Sequence, residues 1–102
     1  MGDILTIEEV KNALSLDYDA NDTEMDRLSK TASSFVYEHT GYDFGSDAEI
    51  HPIAKQVAIM HVKMLYFQNG NNYNREHDYT YGMTSMLHDL QGIAARKLEE
   101  AA

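Results

Sequence analysis

HPIAKQVAIMHVKMLYFQ, residues His51 to Gln68, is the longest apolar stretch of the chain, and it opens on the chain's single proline, Pro52. Proline lacks a backbone donor and has a fixed φ, so it suits the first turn of a helix, where no intrahelical donor is needed. Ile53, Val57, Met60, Met64 and Phe67 then recur at steps of three and four. Ala54, Ala58, Ile59, Val62, Leu65 and Tyr66 fill most of the remaining circumference. A helix apolar on nearly every side has to be covered on nearly every side. The spacing therefore predicts a central helix over about 52–68, roughly 24 Å long, with the other helices packed around it. Lys55, Gln56, His61 and Lys63 interrupt it too often for a membrane span.

Moving outward toward the N-terminus, Thr6 to Glu9 has the form T-x-x-E, a capping box, with Leu5 and Val10 at the positions of a hydrophobic staple. A helix is expected from about Ile7 to Leu14, with Glu8 and Glu9 suiting its positive end. The acidic turn Asp17 to Asp22 invites comparison with a calcium loop. It fails at both stringent positions, because Asp22 stands where glycine is needed and Leu28 where the bidentate glutamate is needed. It reads instead as a solvated turn ending in a helix cap at Asn21 or Asp22.

A second helix is expected from about Thr23 to His39, with Met25, Leu28, Ala32, Phe35 and Val36 on one face. Thr40-Gly41 ends it, since glycine takes the left-handed conformation that closes helices. Tyr42 and Phe44 are expected to fold back on the core.

Beyond the central helix, Asn69 to Gly82 contains no aliphatic residue, while asparagine, glycine and tyrosine dominate it. It reads as a long polar loop, 69–82. Tyrosines among small polar residues are characteristic of contact surfaces, so two readings stand side by side: a contact loop, or a connector whose tyrosines lie over nearby apolar surface. A last helix is expected from near Thr84 or Ser85, carried by Met83, Met86, Leu87, Leu90, Ile93, Ala94 and Leu98, with residues 94–102 frayed. The fold class is all-α: one domain over residues 1–102, a small bundle of about four helices.

Composition narrows the function. Seventeen acidic and eight basic residues give a formal charge of −9, which opposes a free-standing phosphate-binding role. There is no cysteine, so no disulfide framework or thiol nucleophile exists. The N-terminal stretch has no basic patch followed by an apolar run, and an intracellular location is expected.

His39, His51, His61, His77 and His88 are scattered without metal-ligand spacing; His61 reads as a core histidine holding one hydrogen bond. Glu76-His77-Asp78 reads as a solvated cluster, and Ser33-Ser34 lie in a helix without a partnered base. No catalytic, cofactor-binding or metal-binding residues are assigned, and no enzyme is expected. The methionines read as core filler. Met83 and Met86 are the exception, because they flank the tyrosine-rich stretch where a partner could use them.

With these elements placed, the chain resembles the phage head–tail connector proteins, the adaptor or head-completion family that also occurs in prophages. The resemblance rests on Leu5-Thr-Ile-Glu-Glu-Val-Lys-Asn-Ala-Leu14, the acidic turn around Asp17 to Asp22, and Ala32 through Thr40-Gly41 with Phe44. It continues through Pro52-Ile-Ala-Lys-Gln-Val-Ala58, an asparagine-rich segment, and Tyr81-Gly82-Met83 with Leu87 and Leu90. It covers nearly the whole chain and is carried by the order of motifs, each of which is ordinary helix grammar by itself. The chain departs from the family at Thr80 and Met83, near the family's proline and valine, and in a basic end reduced to Arg96 and Lys97.

The resemblance implies a structural virion protein at the head–tail interface, assembled in the bacterial cytoplasm. Roughly twelve copies would form a closed ring below the portal protein, extending the channel through which DNA passes without specific binding and giving the tail or head-closure protein its platform. Tyr73, Arg75, Tyr79, Tyr81, Met83 and Met86 are the candidate contacts to neighbouring subunits or the portal. An acidic channel wall suits the −9 charge. A different class, an acidic helical adaptor or inhibitor binding a basic protein partner, would instead gather its carboxylates in one stripe. A small metal-dependent enzyme lacks ligands for its metal.

Overall fold

The computed structural model describes residues 2–14, 21–67 and 73–101, with the backbone alone for 67 and 73–81. Among the described residues it is an all-α bundle of four helices, α1 (Ile7–Leu14), α2 (Asp22–Thr40), α3 (Pro52–Phe67) and α4 (Tyr73–Ala101), with a 3-10 turn at Phe44–Ser46. No described residue lies in a strand.

The local stops and starts do what their chemistry dictates. The Thr6 N–H donates to Glu9 Oε1 at 3.0 Å and the Glu9 N–H donates to Thr6 Oγ1 at 3.1 Å, a closed capping box opening α1. Asn21 Oδ1 accepts from the N–H groups of Thr23 and Glu24, so Asn21 is the cap of α2. Gly41 closes α2 at φ 75°, its N–H donating to Tyr37 O at 2.7 Å. His51 Nδ1 accepts from the Ile53 N–H at 3.1 Å ahead of the first turn of α3, a cap the sequence reading did not foresee.

α3 packs against each of the other three helices. Its Ala54, Val57, Ala58 and Val62 are wholly buried, facing Val10 of α1, Ala32 and Val36 of α2, and Leu90 and Ala94 of α4 in one core. The expected central helix is therefore present. Lys55 of α3 reaches Glu9 of α1 at 2.8 Å and adds a polar strut beside the apolar contact.

The chain ahead of α1 is held by two buried serines of α2. Ser33 Oγ accepts from the Ile4 N–H at 2.9 Å, and Ser29 Oγ donates to Leu5 O at 2.6 Å. Nearby, Gly2 and Gly45 meet backbone to backbone, and a Cβ on either would overlap the other. Phe44 is buried, and Tyr42 meets its ring edge-on at 4.8 Å, so both aromatics fold back as expected.

The last helix differs from the sequence expectation at both ends. The backbone is helical from Tyr73, so 73–82 is helix rather than the end of a polar loop. Residues 94–101, expected to fray, continue the same helix. At 1.5 Å per residue α4 spans about 43 Å, the longest dimension of the molecule. At the end of that segment Gly82 lies close to α3, where an added Cβ would sit 3.1 Å from Met60 Cε. Glu76 and Asp78 also fall near the positive end of the helix.

Candidate interaction surface along the last helix

α4 carries every residue that the sequence singles out as a contact. Tyr73, Arg75, Tyr79 and Tyr81 lie on its first turns, but their side chains fall outside the described residues. Met83 is 4 % exposed and belongs to the core, and Met86 is half-buried against it. Met83 therefore serves the chain's own packing, in keeping with the core-filler role of the other methionines.

What the sequence reading missed is a groove of about 460 Å³ among α2, α3 and α4, lined by Phe35, His39, Met64, Met83, Leu87 and His88, with Thr84 and Gln91 completing it. The Gln91 side chain links α4 to α2 beside it, its Nε2 donating to His39 O at 2.9 Å. On its α2 side the His39 ring is fixed by a hydrogen bond from Nδ1 to Phe35 O at 2.9 Å. Phe35 lies between two imidazoles, with ring centroids 4.2 Å from His39 and 4.0 Å from His61. Helical spacing on α2 gives the first of these neighbours, whereas the second depends on how α2 crosses α3.

His61 is held differently from the expectation of one hydrogen bond. Its Nδ1 is buried and has no hydrogen-bond partner, and the ring rests on Phe35 at an interplanar angle of 18°. Burial first, and the neighbouring His39 second, push its pKa below the ordinary histidine value. The neutral imidazole thus acts as an aromatic packing element.

Six carboxylates enter separate ion pairs among the described residues. Glu9 meets Lys55, Asp22 meets Lys11, and Lys30 bridges Asp3 and Asp26. Burial alone would raise the Glu9 carboxyl, but Lys55 and the Thr6 donors outweigh it and hold it below the usual range. Asp47 accepts from Tyr42 Oη at 2.6 Å and stands 3.2 Å from Lys97 Nζ, an ion pair outside hydrogen-bonding geometry. Tyr42 and Lys97 outweigh burial there and keep the Asp47 carboxyl low.

Among the described residues, no three of His, Cys, Asp or Glu gather closely enough to hold a metal ion. Ser29 and Ser33, the buried serines, spend their hydroxyls on backbone groups. No described helix is long and apolar enough to cross a membrane. The chain matches no protein-family model, no curated protein and no solved structure.

Proposed function

We propose that this protein is a structural subunit of the head–tail connector type, forming a ring beneath a portal protein, extending the DNA channel and carrying the tail or head-closure protein. The supporting observation is the order of motifs: a capping box opens α1, Gly41 closes α2, Pro52 opens the central α3, and one long helix ends the bundle. The charge of −9 suits a channel wall that lets DNA slide past without holding it. Ring closure needs two different surfaces on each subunit, and the first turns of α4, with Tyr73, Arg75, Tyr79 and Tyr81, supply one of them. Met86, half-buried at the next turn, adjoins it.

The rival reading, an acidic adaptor for a basic protein, would gather its carboxylates in one stripe, whereas Glu9, Asp22 and Asp47 pair with the chain's own cations at separate places. The test replaces Tyr73, Tyr79 and Tyr81 together by alanine and follows ring formation on a portal template by electron microscopy, with circular dichroism as the control. Loss of rings with helicity retained is the expected result. Undiminished rings would remove the start of α4 from the subunit interface.

A further inference from the structure

The groove among α2, α3 and α4 holds an unusual set of donors. His39 of α2, Met64 of α3 and His88 of α4 all line it, and no carboxylate, lysine or arginine does. Each stands at, or one helical turn from, a measured contact between side chains, which brings the three helices' donors to one place. Phe35 rests on His39 at 4.2 Å and on His61 of α3 at 4.0 Å, and Met64 is the third residue after His61. Gln91 Nε2 meets His39 O at 2.9 Å, and His88 is the third residue before Gln91.

The groups are also in a state to ligate. His39 Nδ1 is spent on Phe35 O at 2.9 Å. A carbonyl only accepts, so the neutral ring carries its proton on Nδ1 and keeps a lone pair on Nε2. A backbone carbonyl that fixes one ring nitrogen and frees the other is the arrangement found behind metal-bound histidines. His88 is exposed and joins no hydrogen bond or ion pair among the described residues. Met64 is half-buried, whereas Met83, at 4 % exposed, is committed to the core.

We propose that His39 Nε2, a ring nitrogen of His88 and the Met64 thioether together bind a Cu(I) ion that clips α2, α3 and α4. The donor set selects the ion. An oxyanion needs a cationic side chain, and the wall has none. Calcium and magnesium need oxygen ligands. Structural zinc takes four donors from thiolate, imidazole and carboxylate, of which only the two imidazoles are here. Imidazole with thioether is a soft set and suits Cu(I). The chain has no cysteine, so these are the soft donors it possesses. Its charge of −9 favours a cation over an anion. The site stands whether or not the connector reading does.

The test is anaerobic titration of the full chain against the coloured Cu(I) complex of bicinchoninate, a chelator that competes for the ion. The wild-type chain is expected to withdraw Cu(I) in a single equivalent. His39→Gln, His88→Gln and Met64→Leu should each weaken uptake about tenfold or more, while His51→Asn, at the start of α3, should leave it unchanged. Circular dichroism checks that every variant keeps its helices. Ag(I), a redox-inert substitute for Cu(I), gives a second readout on the unaltered chain: the ε-methyl NMR signal of Met64 should shift and that of Met25 should stay.

A chain that withdraws no Cu(I) overturns the proposal, as does uptake indifferent to either groove histidine. Uptake that survives Met64→Leu, with an unmoved Met64 methyl, removes the thioether and overturns the three-donor site. Zinc bound as tightly as Cu(I) contradicts the soft donor set.

Discussion

Ser33 Oγ on α2 accepts the Ile4 N–H at 2.9 Å while itself donating to Ser29 O at 3.1 Å. This one hydroxyl ties the chain ahead of α1 to the middle of α2, and it does so in a place closed to water.

Ser33→Ala leaves the buried Ile4 N–H without an acceptor, which costs about 1–3 kcal/mol. Chemical denaturation is expected to show that loss. Ser34→Ala, on the exposed side of the same helix, should stay within about 0.5 kcal/mol of the parent.

Gly41→Ala should destabilise by about 1 kcal/mol, because an L-residue is strained in the left-handed region. The space around Gly41 is open, so the cost comes from φ 75° and not from a clash. A drop in the thermal midpoint without loss of helicity at 20 °C checks this, whereas an unchanged midpoint would mean the turn relaxes.

Those two sites show what was legible in the sequence. Capping boxes, αL glycines and helix-opening prolines act through neighbours a few residues away, so α1, α2 and α3 begin and end close to where the sequence puts them. Ser33 shows the limit, because its partner is distant in sequence and nothing local to the serine pair announces it. The start of α4 was missed for a different reason: residues 73–82 lack aliphatic side chains, so the apolar periodicity that marks the rest of the helix is absent there. In hindsight, Tyr79 stands four residues before Met83 and extends the apolar stripe backwards. The groove was out of reach because it combines α2, α3 and α4 residues.

Glu9 should contribute an acid-sensitive share of stability. Its folded pKa lies below the ordinary carboxylate value of 4.5, so the stabilisation is complete above that value and is lost as pH falls through the folded pKa. Glu9→Gln keeps a capping box but loses the charge beside Lys55. It should lower stability at pH 7 by about 0.5 kcal/mol, a small figure because both side chains are about a third exposed. The difference from wild type should shrink in acid; a constant difference from pH 7 to 3 would contradict the pairing.

His61 should act in a higher window. Its folded pKa lies below the ordinary 6.5, so the unfolded chain takes up the proton first as pH falls. Stability is then complete above that value and declines below it, down to the folded pKa. His61→Phe keeps a ring against Phe35 and removes the titration. Its thermal midpoint should fall less than that of wild type between pH 7 and 5, and parallel falls would show that His61 does not titrate on unfolding.

The proposed closure of subunits into a ring is tested most directly by native mass with and without a candidate portal ring, supported by micrographs of the large species. The expected result is a complex carrying roughly twelve copies of the chain on the portal. A chain that remains monomeric or dimeric at every ratio to the portal, with no ring in the micrographs, would contradict it.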